Sequence, residues 1–185
     1  MANTFTSLFL AVLALSIATR SWLAWRHIRH VQLHRSKVPA EFAERISAEA
    51  HQKAADYTVA KARFGQLGLT VETTLLLGLT LGGGLDALAT FWQTRIEGMA
   101  FGLVLIFSVT VISGIIDLPL ALWRQFVIER RFGFNRMTPA LFFTDLLKST
   151  LIGALIGTPV ILAILWLMGA MGHLWWLYVW LFWCS

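Results

Sequence analysis

Three histidines close to the end of the first apolar run are the residues whose spacing comes nearest to a metal site. His27, His30 and His34 occur at i, i+3 and i+7, so they share one face if the segment is helical. Three imidazoles can bind zinc, but the surrounding arginine and lysine side chains disfavour a divalent cation. We therefore expect no metal site on this chain and interpret the segment as a basic region beside anionic lipid headgroups.

Two carboxylates lie inside apolar runs, where a charge that faces lipid is costly. Glu72 is several residues inside the second run, and Asp117 precedes Pro119, which should kink or redirect the third run. Two interpretations stay open. Either the carboxylates line a water-filled cavity, or each pairs with a polar group of a neighbouring helix, with Asp117 also able to reach the interface.

A polar turn with the sequence ERRFGFNRMTP, at residues 129–139, joins the third and fourth apolar runs. Glycine and asparagine tolerate positive φ, so Gly133 and Asn135 are predicted to turn the chain. Thr138 followed by Pro139 is typical of a helix N-cap and first turn. The two phenylalanines that flank the glycine are expected to anchor the turn in apolar surface.

The elements that position these residues are membrane helices. Of the 185 residues, 57% are hydrophobic and 14% are charged, against about 25% charged in a soluble domain. This composition excludes a soluble single-domain enzyme and predicts an all-α, polytopic membrane helical bundle. The single cysteine, Cys184, excludes an intramolecular disulfide framework and a Cys-rich metal module.

Four apolar runs are long enough to cross a bilayer as helices, since the hydrocarbon core is about 30 Å thick. The first run has no basic n-region or cleavage site, so we expect an uncleaved anchor. A fifth run, 173–185, reaches only about 20 Å; either it lies in the interface or the chain stops partway through a longer protein, and we favour the second. We predict one transmembrane region over 1–185, with full spans at about 4–25, 65–90, 98–122 and 148–171.

Positive charge predicts the topology, because loops rich in Lys and Arg stay on the cytoplasmic side. Fourteen of the 15 Lys and Arg lie at one end of the spans, mostly in the loops 26–63 and 124–147, and only Arg95 lies at the other. We predict a multi-pass integral membrane protein with its N-terminus outside. The lipid bilayer is its partner, and the net charge of +5 needs no nucleic acid. The Ala-, Leu- and Gly-rich composition without targeting signals favours a bacterial inner membrane.

The loop 26–63 also has helical periodicity. Ser36 and Pro39 are typical of a helix start, and a partly apolar stripe recurs every three or four residues. We expect an amphipathic helix that packs on the cytoplasmic end of the bundle and leads into the second span. Its stripe consists of Phe42, Ile46, Ala50, Ala54, Tyr57, Lys61 and Phe64.

The polar turn resembles a motif of the type-1 CAAX prenyl endopeptidases, which are integral-membrane zinc metallopeptidases. Residues 129–138 match the pattern E-R/K-x-F-G-F/Y-N-x-x-T, and the loop 26–63 is similar to that family's first cytoplasmic loop, through Lys53 and Tyr57 among others. The resemblance covers nearly the whole chain. It implies a docking surface made of Glu129, Arg130, Arg131, Phe132, Gly133, Phe134, Asn135, Thr138 and, in a following D-x-x-K pattern, Asp145 and Lys148.

The resemblance also implies which part of the enzyme is missing here. The family's chemistry rests on a helical H-E-x-x-H with a downstream Glu, which binds zinc and activates water. None of the five histidines in this chain is followed directly by Glu. We therefore expect no catalytic residue, no bound cofactor and no peptide hydrolysis by this chain alone. Zinc, the catalytic region and a peptide or prenylated-peptide substrate are implied for the full-length enzyme.

The resemblance implies a non-catalytic role for the spans, which in this family form the wall of an intramembrane chamber. On this hypothesis Arg130, Arg131 and Asn135 contact the missing catalytic region, because they lie in a basic, ordered turn on the side where it would dock. The alternative is a stand-alone small membrane protein, either a transporter component or a scaffold or binding subunit. A reading frame that continues past Ser185 into H-E-x-x-H would favour the protease hypothesis.

Overall fold

The computed structural model describes residues 2–39, 44, 46–170 and 175–184. Within these residues the secondary structure is entirely helical, with no strand, which confirms the predicted all-α fold. The helices are α1 (Ala2–Leu33), α2 (Ala48–Thr80), α3 (Gly84–Gln93), α4 (Gly98–Trp123), a π-helix (Arg124–Glu129), α5 (Pro139–Ala170) and α6 (Trp175–Cys184).

Among the described residues, three helical segments are long and apolar enough to cross a membrane: Asn3–Leu33, Gly98–Glu129 and Pro139–Ala170. A fourth candidate consists of α2 and α3, which are bent by 51° at the break between them. Gly83 lies at this break with φ +77°, a conformation that favours glycine. The four predicted full spans correspond to these four segments, and α6 covers most of the predicted fifth run.

The helices extend beyond the apolar runs. α1 continues to Leu33 rather than ending near residue 25, and α5 begins at Pro139 rather than near residue 148. Hydropathy identifies only the part of a helix that is apolar enough to lie in lipid. The helix itself continues until its backbone is capped or broken. The cap of α5 is the predicted one, because Oγ1 of Thr138 accepts the N–H of Leu141 at 3.2 Å.

The predicted start of the amphipathic helix is wrong for α2. That helix begins at Ala48, where Oγ of Ser47 accepts the N–H of Ala50 at 3.1 Å. Ser36 and Pro39 do not lie in a helix. Residues 40–43 and 45, including the first member of the predicted stripe, lie outside the described residues.

The chain divides into two compact units, residues 1–76 with 119–136 and residues 77–118 with 137–185. The buried apolar side chains of the described residues all lie in the first unit: Ala55, Ile128 and Phe132. Most large apolar side chains on the spans are exposed, which is the pattern of a surface solvated by lipid or covered by another polypeptide. α4 continues through Pro119, and the π-helix follows within the same segment.

Candidate functional site

The motif turn, residues 129–138, begins with a Schellman motif at the end of the π-helix. The N–H of Phe134 donates to the carbonyl of Glu129 at 2.9 Å, and the N–H of Gly133 donates to that of Arg130 at 3.1 Å. This pair of bonds needs a left-handed residue, and Gly133 has φ +75°. The predicted turn at Gly133 is therefore confirmed, and any L-residue with a side chain would be strained there.

Asn135 has a different role from the predicted one. Its φ is not positive, so the prediction of a left-handed asparagine is wrong. Its N–H instead donates to the carbonyl of Glu129 at 3.2 Å, and its Oδ1 accepts from Nε2 of Gln125 at 2.9 Å. Because Gly133 alone reverses the chain, the asparagine side chain is available to tie the turn back to the π-helix.

Tyr57 of α2 connects the two segments that resemble the family. Its hydroxyl donates to Oε1 of Glu129 at 2.7 Å. Its ring packs against those of Phe132 and Phe134, with centroids 5.4 Å and 4.8 Å away. The contact places parts of the two basic loops side by side, as expected of loops on one side of a membrane. Phe132, which is buried, anchors the turn on this aromatic surface as predicted, whereas Phe134 contacts Tyr57 but is mostly exposed.

Two lysines of α2 cover this aromatic cluster. Nζ of Lys53 lies 5.9 Å from the ring centroid of Phe134, and Nζ of Lys61 lies 5.8 Å from that of Tyr57. An ammonium over an aromatic face is attracted by the ring quadrupole. The cluster is thus closed on the α2 side by cations.

An ion pair holds the other end of the first loop on α2. Nε and a terminal nitrogen of Arg35 donate to the two carboxylate oxygens of Asp56 at 2.7 Å and 2.8 Å. These hydrogen bonds hold the pKa of Asp56 below its ordinary value. The hydrogen bond to Glu129 raises the pKa of Tyr57, since it favours the protonated phenol. Both groups precede the apolar part of α2, which starts near residue 65.

The outer surface of the motif turn is basic and unpaired. Among the described residues the one salt bridge joins Arg35 to Asp56, so no arginine of the turn is in an ion pair. Asp145 and Lys148 are exposed residues of α5 in the second compact unit. The exposed arginines of the π-helix and the motif turn are Arg124, Arg130, Arg131 and Arg136.

The structure does not group His27, His30 and His34, the three histidines that the sequence offered as a possible metal site. The rings of His30 and His34 lie 4.3 Å apart on α1, but the third ring at their cavity is that of His51, from α2, not that of His27. Within the described residues, no three His, Cys, Asp or Glu side chains are placed to hold a metal ion. Sequence reasoning missed His51 because only the tertiary fold brings its helix against α1.

Glu72 and Asp117 are both exposed on their helices. The carboxylate of neither residue makes a hydrogen bond or an ion pair with another described residue. Pairing of each carboxylate with a polar group of a neighbouring helix, one of the two interpretations left open by the sequence, is therefore not observed within the described part of the chain.

Residues 27–185 match the family model for the CAAX prenyl protease N-terminal region, which has five membrane helices. The chain belongs to this family. The match includes both the first basic loop and the motif turn, so the resemblance carried by those residues is confirmed. It also confirms a multi-pass integral membrane protein.

Relatives named as CAAX prenyl proteases cover most of this chain. The chain is 31% identical to the CAAX prenyl protease 1 homolog of Caenorhabditis elegans over 95% of its length and 30% identical to the human homolog over 95%. It is 27% identical to the Saccharomyces cerevisiae CAAX prenyl protease 1 over 82%. It spans only 39%, 39% and 36% of those three proteins. All three are eukaryotic, so they give no support to a bacterial inner membrane.

A crystal structure of S. mikatae Ste24p has the same fold. It superposes with a TM-score of 0.80 over 91% of this chain at 24% sequence identity, and the match covers 40% of the Ste24p chain. The family model identifies these residues as the N-terminal membrane region of the family. The family pattern already contained Tyr57 and Glu129, but nothing in their spacing showed that they bind each other.

Proposed function

We propose that this chain serves as the non-catalytic, membrane-embedded part of a CAAX prenyl protease-like zinc metalloendopeptidase. In this role it forms part of the wall of an intramembrane chamber and a docking surface for the catalytic region. The observation that carries the proposal is the motif turn. It is fixed by Tyr57 and Gly133, yet it exposes three arginines without an ion pair among the described residues. A family-specific turn that is ordered, but whose arginines have no ion pair among the described residues, fits a surface to which another polypeptide binds.

The residues of this chain do not fit a catalytic zinc ion. The sequence has no H-E-x-x-H, and the described residues offer no group of three metal-binding side chains. We therefore derive no hydrolytic step here and assign the zinc and the prenylated-peptide substrate to the full-length enzyme. The family match favours this hypothesis over a stand-alone transporter component or scaffold subunit.

Charge makes the docking surface specific. Arg130 and Arg131 are exposed, and their guanidinium groups suit carboxylates of an acidic surface on the catalytic region. Asn135 enters the proposal as a positioning residue, because its Oδ1 holds the turn through Gln125. Asp145 and Lys148, on α5 of the second compact unit, are proposed as docking residues in their own right by family resemblance.

Neutralising the two arginines tests this docking role. The chain is co-expressed with the C-terminal part of the S. cerevisiae relative, and co-purification and cleavage of a prenylated CAAX peptide are measured. We expect R130Q/R131Q to weaken association about 3- to 10-fold, the loss of two exposed charge pairs. Unfolding of the chain should not change.

R20Q/R63Q is the matched control, since it removes two exposed arginines elsewhere on the chain. If the control weakens association equally, the effect of R130Q/R131Q is explained by net charge alone, and the proposed docking surface is contradicted. Failure of the unmodified chain to associate would contradict the proposal as a whole. If Asn135→Ala changes neither the association nor the unfolding of the chain, Asn135 has no part in the docking surface.

The exposed carboxylates support a chamber wall. A charge facing lipid is costly, so Glu72 and Asp117 require water or polar partners outside the described residues. We place both on an aqueous lining of the chamber. In a Cys184→Ser background of the complex, E72C and D117C should react with a charged thiol reagent about tenfold faster than L155C, whose leucine is 76% exposed on an apolar surface. Equal, slow labelling at all three positions would show that the acidic positions are not hydrated.

A further inference from the structure

Lys53 and Lys61 of α2 lie beside the motif turn but outside the proposed docking surface. With Tyr57 they are spaced by four residues, so the three side chains share one face of the helix. Nζ of Lys53 lies 5.9 Å from the ring centroid of Phe134, and that ring lies 4.8 Å from the ring of Tyr57. Phe134 is 52% exposed. We call Lys53, Lys61 and Phe134 the lysine–phenylalanine surface, which combines an exposed apolar ring with two ammonium groups.

Two arginines add to the positive charge of this surface. The hydrogen bond to Glu129 raises the pKa of Tyr57, and the charge of Arg124 opposes that rise. The hydrogen bonds of its ion pair lower the pKa of Asp56, and the charge of Arg131 lowers it further. Both guanidinium groups therefore lie near this part of α2, and both arginines are exposed.

The acids beside the surface are already engaged. Glu129 accepts the hydroxyl of Tyr57 at 2.7 Å, and the two carboxylate oxygens of Asp56 accept from Arg35. Neither lysine makes an ion pair with a residue that the structure describes. Each ammonium has three N–H donors, so this surface fits a partner that supplies carboxylates.

Depth favours a polypeptide over lipid as the source of those carboxylates. Lys53 lies 12 residues before residue 65, where the apolar part of α2 starts, which is about 18 Å along the helix. Even a helix tilt of about 40° leaves about 14 Å along the bilayer normal, whereas one headgroup layer is about 5 to 7 Å thick. The ring of Phe134 lies beside Lys53 and shares this depth. The outer part of the surface is therefore beyond the reach of the headgroups.

We propose that the lysine–phenylalanine surface binds an acidic segment of the catalytic region that also carries an apolar side chain. The apolar side chain packs on Phe134, and carboxylates of the segment pair with Lys53 and Lys61. An exposed aromatic ring with a charged rim is the usual composition of an interface hot spot. The inference rests on the proposed function and adds to it the chemistry of the partner and the contribution of a second element, α2.

The complex with the co-expressed C-terminal part of the S. cerevisiae relative tests this surface at two salt concentrations. We expect K53Q/K61Q to weaken association about 3- to 10-fold at about 0.05 M NaCl and much less at about 0.5 M, because salt screens exposed charge pairs. F134A should weaken association about tenfold at both concentrations, since apolar packing at a hot spot is not screened. Unfolding of each variant is measured in parallel.

K37Q/R63Q is the matched control for the lysines, since it also removes two exposed positive charges. Arg63 follows Lys61 by two residues, so it lies about 200° away around α2. We expect this control to leave association within about twofold of the unmodified chain, the scatter of exposed charges.

F91A is the matched control for F134A. Phe91 is 49% exposed and also has a cation over its ring, Arg95 at 3.9 Å from the centroid, but it lies on α3 in the other compact unit. Its removal should leave association unchanged.

Each outcome supports or overturns the surface. Equal losses with the control variants would assign the effect to net charge or to exposed rings in general and would overturn it. If R130Q/R131Q weakens association but K53Q/K61Q and F134A do not, the proposed function stands and this inference is overturned. Failure of the unmodified chain to associate would overturn both.

The membrane alternative is tested with the same complex in phosphatidylcholine nanodiscs, with and without phosphatidylserine. An effect of K53Q/K61Q that appears only with phosphatidylserine would assign the lysines to the lipid surface and overturn the inference. The same effect in both kinds of nanodisc supports a protein partner. If F134A does not fold, K53Q/K61Q and its salt dependence decide the outcome.

Discussion

Phe132→Ala lowers the free energy of unfolding of the chain by about 3 to 5 kcal/mol, the usual effect of truncating a buried phenylalanine. Phe132 is only 9% exposed and packs edge-on against Tyr57. Removing its ring leaves a cavity beneath the motif turn and separates the turn from α2. Denaturant titration of the detergent-solubilised chain, followed by the fluorescence of its tryptophans, measures the loss.

Phe134→Ala is the matched control, because the same side chain is removed two residues later in the same turn. Phe134 also contacts Tyr57, at 4.8 Å between centroids, but it is 52% exposed. We expect a loss of about 0.5 to 1.5 kcal/mol, the value of an aromatic pair. Equal losses for the two variants would contradict the conclusion that burial of Phe132 holds the turn.

Tyr57→Phe lowers the free energy of unfolding by about 1.5 to 3 kcal/mol, because the hydroxyl donates to a carboxylate. The substitution keeps the ring packing on Phe132 and Phe134 and removes only the 2.7 Å hydrogen bond to Glu129. The loss should therefore disappear when Glu129 is already absent. In the Glu129→Ala background we expect Tyr57→Phe to change stability by less than about 0.5 kcal/mol.

The Glu49→Ala background is the control for this cycle. Glu49 is an exposed acid in the first turn of α2 and has no ion pair with a described residue. The changes in the free energy of unfolding caused by Glu49→Ala and by Tyr57→Phe should therefore be additive. The same effect of Tyr57→Phe with and without Glu129 would show that the hydroxyl stabilises the chain in another way. Effects of this size would also appear in the association assay, since the exposed arginines depend on the turn that Tyr57 holds.

Several features of the fold could be predicted from the sequence because their causes are local. Lipid imposes a length and polarity on each span, so the apolar runs predicted the segments that are candidate spans in the structure. Gly133 predicted the turn, because the Schellman motif needs a left-handed residue and glycine adopts it without strain. Thr138 predicted the start of α5 for an equally local reason, since its hydroxyl binds an N–H three residues away.

Other boundaries could not be predicted from hydropathy. α1 continues to Leu33 and α2 begins at Ala48, because polar residues propagate a helix as readily as apolar ones. Asn135 was predicted to turn the chain from its intrinsic tolerance of positive φ. The hydrogen bond from Gln125 shows that a side-chain contact decided its role instead.

The sequence by itself determined that this protein is a set of membrane helices joined by a basic, family-specific turn. Only the tertiary structure decided which residues hold and surround that turn. Tyr57 binds Glu129 across 72 residues, and His51 joins His30 and His34 at one cavity. The physical reason is that membrane solvation and turn sterics act over a few neighbouring residues, whereas a contact between distant helices depends on how their whole faces pack.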